Sequence, residues 1–181
     1  MNALLLIDIQ NDYFPGGSME LVGSEAAAMN AAKLLSTFRE KHLPIFHIQH
    51  IAARPGATFF IHGTDGADIH ASVVPIEGEE ILTKHYPSAF RGTSLLEKLQ
   101  ELKPEKLFIT GMMTHMCVDT TVRAAFDFGF NCLVAHDACA TKNLVFNGES
   151  VQAVNVQASF MAALNGMFAE VADTNFICKQ V

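Results

Sequence analysis

The chain begins Met1-Asn2-Ala3-Leu4-Leu5-Leu6-Ile7-Asp8-Ile9. The apolar run from Ala3 to Ile9, broken only by Asp8, narrows the possible folds more than any other stretch. Such a run leaves no polar side for water, so as a strand it must be covered on both faces, as in a parallel sheet between layers of helices. A carboxylate among these neighbours is costly to desolvate. At the C-terminal end of a parallel strand it also stands where open α/β sheets bind their ligands. Asp8 is therefore either a loop-capping carboxylate or a functional one. The run has no basic leader and no small-residue cleavage site, so it reads as a strand and not as a signal peptide.

The rest of the chain alternates strand and helix patterns. Ser24 is expected to cap a helix to about Lys41, with Ala28, Ala31, Leu34, Leu35 and Phe38 on one face. Pro44–Ile51 reads as a strand on which His47 and His50 face opposite ways, so they do not share a metal. Ile81–Lys84 is a short strand, and Ser94 with Glu97 forms a capping-box pattern opening a helix to about Leu102. Lys106–Thr110 is the next strand. Thr114 is placed to cap a helix carrying Val118, Val122, Ala125 and Phe126, which Gly129 can end. Cys132–Ala135 is a further buried strand. A helix is expected from about Ser150 to Met167, with Val151, Val154, Ala158 and Met161 inward. Phe168–Ala172, with Phe176–Ile177 as a further candidate, completes the pattern. This alternation predicts a single domain over residues 1–181, a three-layer α/β/α sandwich around a mainly parallel, Rossmann-like sheet.

Composition removes several function classes. With 12 basic against 19 acidic residues and a formal charge of −7, neither nucleic acid nor an anionic membrane surface is an expected partner. No GxGxxG follows the first strand and no Walker motif occurs, so no nucleotide cofactor is implied. The histidines fit no compact ligand motif, and neither a metal nor another cofactor is expected. The four cysteines, Cys117, Cys132, Cys139 and Cys178, form no CxxC pair. They read as free thiols in a reducing, cytoplasmic compartment.

Three chemically capable groups follow three different strands: Asp8, Lys84 and Cys117. Cys117 lies where a helix opens, a position that lowers a thiol's pKa and favours the nucleophilic thiolate. Taken alone it reads as a buried structural cysteine, which is what most free cysteines are. Lys84 is either solvated surface or an ammonium held in a partly closed site. At one crevice the three suffice for acyl transfer, with Lys84 favouring the thiolate and Asp8 moving the proton. Backbone N–H groups in the turn before Cys117 could hold an oxyanion, worth about 3 kcal/mol per donor. Phe14, Phe59, Phe60, Tyr86, Phe90 and His115 are candidates to line a substrate pocket, and pattern alone does not separate them from core packing. Phe59 and Phe60 lie in the long, weakly patterned segment 52–78, where they line a pocket or pack across a subunit boundary.

Asp8-Ile9-Gln10-Asn11-Asp12-Tyr13-Phe14, Lys84 with Tyr86-Pro87-Ser88-Ala89-Phe90, and Gly111-Met112-Met113-Thr114-His115-Met116-Cys117-Val118 resemble the three signature blocks of the isochorismatase-like cysteine hydrolases. The resemblance spans nearly the whole chain. It implies Asp8, Lys84 and Cys117 as a catalytic triad, and a cis peptide at Met112–Met113 that aims the Met113 and Cys117 N–H groups at one oxyanion. It also implies a small-molecule substrate and a homo-oligomer, dimer or tetramer. In the metal-binding nicotinamidase branch an aspartate follows the second strand. Gln49 stands there in this chain, which disfavours that branch. True isochorismatases lack the cysteine, so Cys117 points to hydrolysis of an amide C–N bond through a thioester. A hydrolase of a non-amide substrate and a non-catalytic redox or scaffold protein are the alternatives. Gly56-Ala57-Thr58-Phe59-Phe60 is similar to the segment in uncharacterised or streptothricin-hydrolase-like members.

Overall fold

A computed structural model describes residues 1–181. In chain order the elements are β1 Ala3–Ile7, α1 Ser24–Glu40, β2 Ile45–His50, β3 Glu80–Lys84, α2 Leu95–Leu102, β4 Leu107–Met112, α3 Asp119–Asp127, β5 Cys132–Ala140, β6 Leu144–Phe146, β7 Glu149–Val151, α4 Ala153–Leu164, β8 Glu170–Ala172 and α5 Thr174–Cys178. Six strands form one sheet in the order β3-β2-β1-β4-β5-β8, and every neighbouring pair is parallel. The expected three-layer α/β/α architecture is the one observed.

Alternation along β1 divides the core. Leu4 and Leu6 pack with Ala27, Ala28, Ala31, Leu34, Leu35 and Phe38 of α1 and Ile177 of α5. Ala3, Leu5 and Ile7 face the other way, onto Leu95 and Leu99 of α2, Val122 and Ala125 of α3, and Met161 and Leu164 of α4. All five β1 side chains are buried, which is why the run is apolar throughout. Strand order reverses at β1, whose neighbours are β2 and β4. Such a switch point opens a crevice beyond the strands' C-terminal ends. Gly111 lets β4 close on β1 there. Its φ is +137°, and a Cβ would stand 2.0 Å from the Ile7 carbonyl oxygen, so no other residue fits.

Several expectations need correction. Gly23, in the left-handed region, is the N-cap of α1, and Ser24 is its first residue with no capping bond. Ser94 stands at the N-cap of α2 without a side-chain cap. The Leu95 N–H instead bonds the Thr93 hydroxyl. Thr114 caps nothing: its hydroxyl binds the Ala140 carbonyl and the Gln157 side chain, and Thr114–Val118 forms a π-helical turn ahead of α3. The helix expected from Ser150 starts at Ala153, because Gly148 at φ +84° closes a β6–β7 hairpin first. That shifts the buried face of α4 to Ala153, Val156, Met161 and Leu164, leaving Val154 72% exposed. Phe176 and Ile177 are helical rather than extended, since Asp173 caps α5 through the Phe176 N–H. No helix is long and apolar enough to cross a membrane.

His47 and His50 do face opposite ways. His47 bonds Glu79 on the side away from the crevice, and Arg39 joins them with two N–H groups at 2.6 and 2.9 Å. Burial pushes the Glu79 carboxyl up. The Arg39 guanidinium, the Ile76 N–H and His47 outweigh burial and hold it at about 2. A carboxylate depressed in the folded state stabilises the fold above its ordinary pKa of 4.5, and that contribution fades as pH falls toward 2. Glu79→Gln is expected to cost roughly 2 kcal/mol at pH 7. It should also flatten the loss of stability between pH 4.5 and 2, read by urea unfolding across that range. An unchanged acid slope would show that the network holds no such leverage.

Candidate active site

Topology brings the three strand-end groups together. Asp8 follows β1, Lys84 ends β3, and Cys117 lies in the π-helical turn after β4. None is more than 3% exposed. Lys84 Nζ lies 2.7 Å from Asp8 Oδ2 and 3.3 Å from Cys117 Sγ, and donates to the Tyr86 carbonyl at 3.1 Å. The approach to Asp8 is an ion pair in contact rather than an aligned hydrogen bond, and Asp8 Oδ1 receives no hydrogen bond from nitrogen or oxygen. Asp8 itself sits at φ 51°, a left-handed conformation of the kind that clusters at functional sites.

The electrostatics run against one expectation. The Cys117 thiol is not lowered by its place near a helix start. Burial, and next the Asp8 charge, raise its pKa well above the ordinary value, and Lys84 offsets this only in part. For Lys84 the balance is reversed. Burial works to lower it, but Asp8 and Cys117 outweigh burial and raise it, so the group is an ammonium. At rest the site is carboxylate, ammonium and neutral thiol, with an Asp8 carboxylate oxygen within 4.8 Å of Cys117 Sγ.

The turn before Cys117 contains a cis peptide at Met112–Met113. The Met113 carbonyl accepts from the Met116 and Val118 N–H groups at 3.1 and 3.2 Å. The amide of Cys117 lies between these two in sequence and is not one of them.

The pocket candidates separate once packed. Phe14 is 5% exposed and stacks on His70 at 3.5 Å between centroids. Phe59 is partly buried against the Tyr13 ring. Phe60 is fully buried, its ring centroid 4.6 Å from that of Tyr13 and 5.7 Å from that of His50, so it supports those rings and cannot itself touch substrate. Phe90 is partly buried and packs against Phe128 and Phe130. Tyr86 is 42% exposed, with the Arg91 guanidinium 3.6 Å above its ring. His115 bonds the Thr141 hydroxyl at 2.6 Å; burial and Lys142 lower its pKa, so the ring is neutral.

Three residues that pattern did not single out belong to the site. His50 Nδ1 lies 2.9 Å from Lys84 Nζ. Gln10 is fully buried and clamps the His50 backbone, accepting its N–H at 2.7 Å and donating to its carbonyl at 2.9 Å. Tyr13 has its phenol pKa raised by burial first, then by Cys117, Asp8 and Asp12, so the hydroxyl stays protonated beside the cluster. Parallel register was the signal for His50, since it pairs with Lys84 across β2 and β3. Asp12 secures the segment overhead, accepting the Phe60 N–H at 2.6 Å and the Ser18 N–H at 3.1 Å.

Asp8, His50 and Cys117 offer three donor atoms within 4.8 Å of one another, a set that suits a borderline-soft metal ion. Among those donors the cation in place is the Lys84 ammonium.

Fold and site together define a class: a three-layer α/β protein with an acid, an ammonium and a thiol gathered at the C-terminal edge of a parallel sheet. Residues 2–176 match the isochorismatase domain model, and the chain belongs to the isochorismatase family. It is 51% identical to YddQ, an isochorismatase family protein of Bacillus subtilis, over 98% of each chain. The secreted isochorismatase effector Isc1 of Verticillium dahliae is 33% identical over 96% of this chain and 90% of its own. Among solved structures, an isochorismatase hydrolase from Oleispira antarctica superposes with a TM-score of 0.93 at 49% identity, covering 98% of this chain and 96% of the other. More distant relatives include streptothricin hydrolase of Streptomyces noursei, 30% identical over 80% of this chain and 51% of its own. Nicotinamidase/pyrazinamidase of Mycobacterium tuberculosis is 29% identical over 77% of this chain and 87% of its own.

Proposed function

We propose that this isochorismatase-family hydrolase cleaves the C–N bond of a small amide through a thioester on Cys117, with no cofactor. The observation that carries the reading is the buried Asp8 carboxylate beside a buried neutral thiol, with an ammonium touching both groups. Asp8 takes the thiol proton as Sγ attacks the amide carbonyl, and Lys84 offsets the charge that passes from carboxylate to sulfur. The tetrahedral oxyanion is received by the N–H groups of Met113 and Cys117. Asp8 then protonates the leaving nitrogen, the C–N bond breaks, and ammonia or an amine departs. Water gives a proton to Asp8 and attacks the thioester. Collapse releases the carboxylic acid, and the proton returns to sulfur. The amide-hydrolysing relatives support the same bond class.

Intact-mass spectrometry of the protein mixed with a panel of small amides, with ammonia release as the parallel readout, tests this. The expected result is an acyl adduct that maps to Cys117 and decays to free enzyme. Turnover of isochorismate or another non-amide without any adduct would overturn the amide reading. The same proposal places the chain in the cytoplasm, supported by four unpaired cysteines. It also takes the chain to be a dimer or tetramer, which light scattering of the purified protein decides.

A further inference from the structure

Four acceptors surround the Lys84 ammonium, which has three hydrogens to give. They are Asp8 Oδ2 at 2.7 Å, His50 Nδ1 at 2.9 Å, the Tyr86 carbonyl at 3.1 Å and Cys117 Sγ at 3.3 Å. An ammonium has no lone pair, so in its contact with His50 the imidazole Nδ1 must accept, which leaves the ring hydrogen on Nε2. The 3.7 Å approach of His50 Nδ1 to Asp8 Oδ2 then sets two lone pairs against each other and is not an ion pair. Everything around the ring holds it to this task. Gln10 fixes the His50 backbone at both its N–H and its carbonyl, Phe60 backs the ring, and Gln10 is in turn tied to the Ala67 carbonyl at 2.7 Å.

We propose that His50 is a positioning residue: its Nδ1 and the Tyr86 carbonyl each hold one Lys84 N–H, so that the third stands between Asp8 and Cys117. This role deepens the thioester mechanism and rests on that reading. The His50 and Tyr86 contacts lie outside the path of the negative charge, which moves from Asp8 to sulfur and back. An ammonium already pinned at two points meets that shift without rotating, which is the preorganisation that lowers a barrier in a dry site. In this role His50 does not touch substrate.

The test exploits side-chain geometry. Asparagine places its Oδ1 close to where histidine has Nδ1, whereas glutamine reaches the place of Nε2. The readout is the rate of Cys117 carbamidomethylation by iodoacetamide across pH in the full chain, followed by peptide mapping, so that the partly buried Cys178 is scored separately. His50→Ala and His50→Gln are expected to slow alkylation of Cys117 about ten-fold, and His50→Asn to recover to within about three-fold of wild type. With any amide that turns over, the Ala and Gln variants should lose kcat with little change in KM. If His50→Gln recovers as well as His50→Asn, or KM alone rises, the ring works through Nε2 on the substrate and the proposal is wrong. It is equally wrong if His50→Ala is alkylated as fast as wild type. Should His50→Ala unfold, the Asn and Gln pair carries the comparison by itself. Alkylation needs no amide substrate, so an inactive amide panel would sink the hydrolase reading without touching this result.

Discussion

Cys117→Ala is expected to lower amide turnover by at least about 10³-fold while leaving the fold intact. The loss follows from the chemistry of the cluster: with sulfur gone, Asp8 has no nucleophile to deprotonate, and the nearest other cysteines, buried in the strands, lack its acid–base partners. Stability should change little. The Asp8–Lys84 contact, 2.7 Å in the wild-type chain, does not involve the sulfur, and the variant leaves a void of about one sulfur atom, costing roughly 1 kcal/mol. Ammonia release and a thermal melt measured on the same preparation check both halves. A variant that melts like wild type and still turns over at the wild-type rate would remove Cys117 from the mechanism.

Asp8→Asn separates two roles that are easily confused, making the thiolate and moving the proton. After burial, Asp8 is the largest influence raising the Cys117 pKa. Without its charge, the Lys84 ammonium has the sulfur as its natural anionic partner. Cys117 in Asp8→Asn should therefore ionise more readily, and iodoacetamide should alkylate it about ten-fold faster near neutral pH. Hydrolysis should nevertheless fall about 10³-fold, because nothing remains to protonate the leaving nitrogen or to activate the deacylating water. Alkylation and turnover thus move in opposite directions. The pH dependence of alkylation should shift to lower pH in the variant, since the thiol's folded-state pKa drops toward its ordinary value. Alkylation slower than wild type would mean that Asp8 assists the thiolate rather than opposing it.

Much of the architecture was legible because hydrophobic period and burial are local properties. The unbroken run at β1 announced a strand covered on both faces. The helical spacing of Ala28, Ala31, Leu34, Leu35 and Phe38 announced α1, and all five are buried. The misplaced elements came from contests that pattern does not resolve. Val151 and Val154 share a helical spacing, but Gly148 turns the chain into a hairpin before α4 can begin. Phe176 and Ile177 look like a strand until Asp173 caps the turn ahead of them.

By itself, the sequence determined the layered α/β fold, the strand ends where chemistry would gather, and the residue types there: Asp8, Lys84 and Cys117. Only the tertiary structure decided their state. A cysteine near a helix start reads as a thiolate when its local position alone is considered. Packed at 3% exposure beside Asp8 it is a neutral thiol, because desolvation and a neighbouring charge are set by residues over a hundred positions away. The structure also sorted Phe60 from Phe59, and raised His50 from a scattered histidine to a partner of Lys84. That last contact depends on the parallel pairing of β2 with β3, and register between strands is a property of the assembled sheet rather than of either strand.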